Sequence, residues 1–426
     1  MSIKKGIFHV LIANIINLVI SLFSSFILPK YLSIDTYANI KLFQLYITYI
    51  GISHLGYSDG MYLRNGGKKL ETIDKKDILS EFKTFRYFQY IVTIIAIIVS
   101  LLIKNEMLLF CAIVLVPINI SNYIRSLYNA IGQFKKYSRY TNINTIFIFL
   151  INIFLLFIIK SDYYYTYIIG QIVVYFLYCI YIVYETLILF GKADSKFDIK
   201  YIFENIKSGF LLLIGNFCNV IFTSIDKIFV KNLIDLTHFA YYSFATSIEG
   251  LLNVFITPIS TVMYNYFCNK KDIDSVKKVK KYILIFSSML VILIFPAKFI
   301  IENWITKYND SVSILFILVS AQYISIMIRT VHINLYKAEK KQNRYFKIMI
   351  CIVLLSVILN ISTYTFFKSM TAIAVATLLT NIIWYIVGEL EFSKFKLEIK
   401  DYVYTFMMMI TFLICGNIFN FFIGSL

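Results

Sequence analysis

The chain has 426 residues, is 59% hydrophobic and carries a formal net charge of +17. Its mean hydropathy is +0.74, above that of a soluble globular chain, which is roughly half apolar. With the apolar residues gathered in blocks near 20 long, this composition excludes a soluble domain. A transmembrane β-barrel is excluded too, because its strands alternate polar and apolar over about ten residues.

About 20 residues at 1.5 Å each cross the roughly 30 Å hydrocarbon layer of a bilayer. In chain order the hydropathy predicts spans at 7–29, 38–60, 85–103, 107–128, 141–159, 163–190, 209–230, 239–267, 282–303, 312–335, 346–366, 370–390 and 402–424. The first run continues to Pro29 without a small-residue cleavage site, unlike a secretory signal peptide. With the N-terminus placed in the cytoplasm, 30 of the 41 Lys and Arg fall in cytoplasmic segments and 7 in outer ones. That bias obeys the positive-inside rule. It accounts for the net charge without nucleic acid, and it favours contact with anionic lipid.

The chain also repeats itself. Ile12-Ala13-Asn14-Ile15-Ile16-Asn17-Leu18 is echoed by Ile214-Gly215-Asn216-Phe217-Cys218-Asn219-Val220, 202 positions on. Leu127-Tyr128-Asn129-Ala130 is echoed by Leu335-Tyr336-Lys337-Ala338, 208 positions on. An offset near half the length marks two copies of one unit. Both copies of a given helix start on the same side, which predicts parallel halves related by a pseudo-two-fold axis along the membrane normal. The expected fold is an all-α polytopic membrane protein with two parallel six-helix lobes, 1–190 and 209–390, joined by a cytoplasmic linker, 191–208. Residues 391–426 supply an extra C-terminal span.

No outer loop exceeds about a dozen residues, which leaves little room for an external catalytic domain. No G-x-x-x-x-G-K-[ST] phosphate cradle is present, so energy coupling is read as secondary, to protons or sodium. The six cysteines are isolated and the four histidines share no ligand spacing, so no metal or cofactor is expected. His54 is the histidine well inside a predicted span, where a packing role outweighs a proton-carrying one.

Charges within spans are costly and usually face a bundle interior or a water cavity. Asp226, Lys227 and Glu249 are candidates for a coupling or cavity site. Arg125 and Arg329 differ by one helical turn relative to the repeat, so they share equivalent faces of equivalent helices. If that face lines a cavity, the two form a cationic clamp for phosphate oxygens; snorkelling to lipid phosphate is the competing role. Asn14 and Asn17, like Asn216 and Asn219, lie three apart on one helix face. They suit sugar hydroxyls, or hydrogen bonds between helices. Pro117, Pro258 and Pro296 are potential hinges in their helices.

Two six-helix halves, the N-terminal I-x-N-I-I-N-L and the helix-7 stretch Ser224-Ile225-Asp226-Lys227-Ile228-Phe229-Val230 resemble the Wzx-type lipid-linked oligosaccharide flippases. These O-antigen and capsule transporters belong to the multidrug/oligosaccharidyl-lipid/polysaccharide (MOP) exporter superfamily. Leu236-Thr237-His238-Phe239-Ala240-Tyr241-Tyr242-Ser243 is similar to that family's entry to helix 8, with Ala240 where its glycine stands. The resemblance covers nearly the whole chain and rests on architecture more than on signature residues. It implies a non-enzymatic flippase of the bacterial inner membrane, moving a polyprenyl-pyrophosphate-linked glycan outward by alternating access, with polysaccharide polymerase and chain-length machinery as possible partners. A cation-coupled multidrug exporter is the alternative within the superfamily. A membrane polymerase or glycosyltransferase is the alternative outside it.

Overall fold

The computed structural model describes residues 3–68, 70–71, 73–191, 195–269 and 272–416. Its regular structure is helical: α1 (Ile3–Tyr31), α2 (Ile34–Ile50), α3 (Tyr57–Asn65), α4 (Lys75–Ile103), α5 (Glu106–Ala130), α6 (Phe134–Ile153), α7 (Tyr164–Phe190), α8 (Lys200–Leu233), α9 (Leu236–Leu251), α10 (Asn253–Asn269), α11 (Ile273–Val291), α12 (Ile294–Trp304), α13 (Ser311–Met327), α14 (Ile333–Ala338), α15 (Gln342–Phe367), α16 (Met370–Glu391) and α17 (Ile399–Cys415). Among the described residues, nine helical stretches are long and apolar enough to cross a membrane, or ten if the bent pair α9–α10 is one span. The chain is a multi-pass membrane protein.

Several helices depart from the predicted spans. The run 38–60 is interrupted: α2 ends at Ile50, a 3-10 turn covers Gly51–His54, and the backbone turns left-handed at Leu55 and Gly56 before α3. Glycine suits such a turn because it has no Cβ. Gly56 also sits so near α8 that a Cβ would lie 3.0 Å from the backbone of Gly209. The run 282–303 divides into α11 and α12. There Pro296 cannot donate to the carbonyl of Ile292, so the ladder is open at the break. The linker 191–208 is helical from Lys200, where α8 begins. The last span, read as 402–424, forms α17 from Ile399 to Cys415, and its remainder lies outside the described residues.

By contact the chain forms two compact units. The first comprises residues 1–24 and 31–220, the second 25–30 and 221–426. In the first unit α5 is the central helix and packs against α2, α3, α4, α6 and α7. Its apolar face, with Ile120, Ile124 and Leu127, joins Phe82, Phe85 and Ile182 in one core. In the second unit α13 is central and packs against α9, α11, α12, α16 and α17. Every residue from Ile314 to Met327 is buried.

The repeat is visible in local geometry. Ser33 caps α2 and Asp235 caps α9, each accepting the amide N–H three residues on, at 3.2 and 2.7 Å. The turn after α5 and the turn after α14 make the same backbone bonds: Gln133 N–H to the Tyr128 carbonyl and Lys341 N–H to the Tyr336 carbonyl, both at 2.8 Å. The tyrosines of those turns meet partners alike, Tyr128 with Tyr140 at 5.4 Å and Tyr336 with Tyr345 at 5.8 Å between ring centroids. An ion pair also recurs, Arg139–Glu185 at 3.2 Å and Arg344–Glu391 at 3.3 Å.

Candidate functional site

Each unit carries an arginine on its central helical column. Arg125 lies on α5, and Arg329 on the π-helical turn Ile328–His332 that joins α13 to α14. The two surroundings differ. Arg125 is half-buried, and among the described residues it hydrogen-bonds Asn122 Oδ1. Tyr175 and Tyr178 of α7 are within its electrostatic reach. Among the described residues its guanidinium makes no ion pair. Such a group is costly in a low-dielectric setting unless an anion meets it.

Arg329 sits in a built network. Its Nη1 donates to Asn253 Oδ1 at 2.5 Å, and Gln322 donates to the same oxygen at 3.0 Å. Glu249 is in electrostatic reach of both Arg329 and Lys227. The π turn leaves main-chain carbonyls without their usual helical donors. Asn334 Nδ2 reaches the Thr330 carbonyl at 2.9 Å and the Arg329 carbonyl at 3.3 Å, and Ser260 donates to the Arg329 carbonyl at 2.9 Å. Asp226 is buried and accepts from Tyr242 at 2.8 Å. The second unit thus gathers Asp226, Lys227, Glu249 and Arg329, two acidic and two basic side chains, into one group.

Asn17 donates to Asn142 Oδ1 at 3.4 Å, and Asn216 to Asp59 Oδ1 at 3.3 Å. Asn219 is exposed on α8 and has interactions of its own, while the Asn14 side chain lies outside the described residues. His54 Nδ1 accepts the Gly56 N–H at 3.0 Å, which ties it to the break between α2 and α3.

Three groups escaped the sequence reading. Arg86 falls at the very start of the predicted span 85–103, but α4 starts at Lys75, so Arg86 lies three turns inside a helix. Its guanidinium stands over Phe82 at 5.1 Å, and its Nε is buried without a hydrogen bond among the described residues. Lys280 lies outside the predicted span 282–303. It lies two turns into α11, fully buried, and pairs with Glu389 at 2.6 Å. His332 completes that cluster, with Nε2 at 2.9 Å from Glu389. In the first unit Glu81 is fully buried and meets Arg64 at 2.5 Å and Asn205 at 2.5 Å. The start of α4 at Lys75, ten residues before the apolar block, was the missed signal.

Comparison with solved structures identifies the fold. The lipid II flippase MurJ, in an inward closed conformation, superposes with a TM-score of 0.70 at 17% identity, over 96% of this chain and 91% of that one. An outward-facing multidrug resistance MATE family transporter of the MOP superfamily gives 0.56 at 11% identity, over 96% of each chain. The Vibrio cholerae MATE transporter VcmN gives 0.58 at 10% identity, over 92% of this chain and 96% of that one. The fold is that of the flippases and transporters of the MOP superfamily. More particularly, residues 85–269 match the model of the family described as polysaccharide biosynthesis protein. This bears out, at the level of the fold, the resemblance read from the sequence. No curated protein sequence matches the chain.

Proposed function

We propose that this protein flips a polyprenyl-pyrophosphate-linked oligosaccharide, of the O-antigen or capsule type, from the inner to the outer leaflet of a bacterial inner membrane by alternating access. The observation that carries the reading is Arg125: a guanidinium on the central helix of its unit without an ion pair among the described residues, in a chain matching a polysaccharide biosynthesis family. A diphosphate supplies the missing negative charge, and a guanidinium binds its oxygens through two parallel N–H donors. Arg329, already shared with Asn253 and Glu249, is the second diphosphate contact, released in part when substrate replaces Glu249. Asn17, Asn216 and Asn219 are proposed glycan contacts. The lipid tail remains in the bilayer throughout.

The test is a strain lacking the protein, with the polyprenyl-linked glycan labelled and its leaflet determined. The expected result is inner-leaflet accumulation, corrected by the native protein and not by an Arg125→Gln/Arg329→Gln variant. Correction by that variant would remove the two arginines from the mechanism. Normal outer-leaflet delivery in the deletion strain would overturn the flippase.

The second reading is a cation-coupled exporter of small molecules, favoured by the group Asp226, Lys227, Glu249 and Arg329 in the second unit. In that case Asp226→Asn or Glu249→Gln abolishes drug efflux by whole cells, and leaflet distribution of the glycan is unchanged.

A further inference from the structure

Three elements of the second unit bury an ion network around Glu389 of α16. Lys280 of α11 meets its two oxygens at 2.6 and 2.8 Å and donates to the Phe395 carbonyl at 3.1 Å. Tyr402 of α17 donates to Glu389 Oε2 at 2.6 Å. A fourth element, the π turn, adds His332, whose Nε2 lies 2.9 Å from Oε1. An ionised carboxylate only accepts, so His332 is the donor there and its Nδ1 carries a lone pair. That Nδ1 is buried without a hydrogen-bond partner among the described residues. It faces Gly388, where any Cβ would collide with the imidazole. The ring is held against Tyr385, with centroids 5.6 Å apart. One acceptor therefore stands open at the edge of the Glu389 network.

We infer that His332 Nδ1 is a proton-binding site of the second unit, with Glu389 as its counter-ion, and that proton binding there moves the π turn bearing Arg329. Neutral His332 fits the network as it stands, with Lys280 and Glu389 in charge balance. A proton on Nδ1 adds a positive charge beside Lys280 and a donor that faces Gly388 with no acceptor. This arrangement relaxes only if the ring moves. His332 and Arg329 belong to the same five-residue turn, Ile328–His332, closed by the Ile333 N–H on the Ile328 carbonyl. A π turn holds one residue more than an α turn needs and can revert to it by a register shift. The charged and titratable groups around the ring are Glu389 and Tyr385 on α16, Lys280 on α11, Tyr402 on α17 and Arg329 on its own turn. From α10, Ser260 donates to the Arg329 carbonyl and Asn253 accepts from its guanidinium.

As the coupling site of a transporter, this inference rests on the function proposed above; as a proton site it does not. The test uses the full chain in lipid nanodiscs, with histidine rings labelled with nitrogen-15 and the protein titrated with acid. His332 is assigned by the signal lost in His332→Gln. The second readout is fluorescence of Trp384, on the same helix as Gly388, in a Trp304→Phe background. The expected result is a ring protonated on Nε2 alone near neutrality that gains an Nδ1 proton on acidification, with a fluorescence step at the same pH. The step is lost in His332→Gln and kept in His54→Gln. A ring that stays neutral wherever the protein remains folded would overturn the site. So would a fluorescence step that survives in His332→Gln. Outer-leaflet delivery of the glycan without the protein sinks the flippase and leaves this titration standing, so the two readings fail separately.

Discussion

Gly132 and Lys340, 208 positions apart, adopt the same left-handed backbone at the turn following the central column of each unit, with φ of 71° and 57°. The turn is dictated by the fold, and the residue type is not. A side chain in this region costs roughly 1–2 kcal/mol relative to glycine. Gly132→Ala is therefore expected to lower stability by about 1 kcal/mol, and Lys340→Gly to raise it by up to about 1 kcal/mol. Thermal unfolding of the purified variants checks both signs.

Lys280 and Glu389 form a fully enclosed pair. Removing one partner strands a buried charge, at a typical cost of about 3–5 kcal/mol, whereas apolar replacement of both can be near neutral. Lys280→Met alone is expected to unfold at much lower denaturant than the native protein. Lys280→Met/Glu389→Leu should recover part of the loss, since His332 and Tyr402 then lack their acceptor. Equal loss in the single and double variants would contradict the pairing.

Gly209 of α8 lies against the backbone of α3. A Cβ at Gly209 would collide with the Gly56 carbonyl oxygen and the Gly60 amide nitrogen, neither of which is a flexible side-chain end. Gly215, six residues on in the same helix, has open space around it. Gly209→Ala should destabilise by about 1–3 kcal/mol or more through overpacking. Gly215→Ala should be tolerated or stabilising by about 1 kcal/mol, since alanine favours a helix interior over glycine. Expression level and thermal stability in detergent separate the two variants.

Glu398 caps α17 and takes part in a reciprocal capping box with Asp401. Hydrogen bonds from Lys400 and Lys281, at 2.7 and 2.9 Å, hold its carboxyl down at about 2, from the usual 4.5. A depressed carboxyl contributes stability above its unfolded value and loses it as pH falls through the folded one. The start of α17 is thus expected to hold above pH 4.5 and to fray on acidification towards pH 2. Hydrogen exchange at the amides of Asp401 and Tyr402 reads this directly, and Glu398→Gln should remove the pH dependence.

Much of the architecture was open to sequence reasoning because it depends on one-dimensional patterns. Apolar blocks near bilayer thickness marked the membrane helices, and the echo of Leu127–Ala130 in Leu335–Ala338 marked the second copy. Arg125 and Arg329 stood out because charge is rare in such blocks, and both lie on the central columns. What hydropathy could not reveal was where a helix begins. Lys75 starts α4 and Ile273 starts α11 in polar sequence, and this puts Arg86 three turns into its helix and Lys280 two turns into its own.

By its own pattern, then, the sequence determined the membrane class, the doubling of the unit and the identity of the rare charges. Only the tertiary structure decided which of those charges are matched. Lys280 finds Glu389 109 positions away, and Arg329 finds Asn253 76 positions away, while Arg125 meets Asn122 one turn back on its own helix. The reason is physical. Hydrophobicity and repetition are properties of the chain read locally. The cost of a buried charge depends on groups brought within a few ångströms by packing, and their spacing along the chain carries no trace of it.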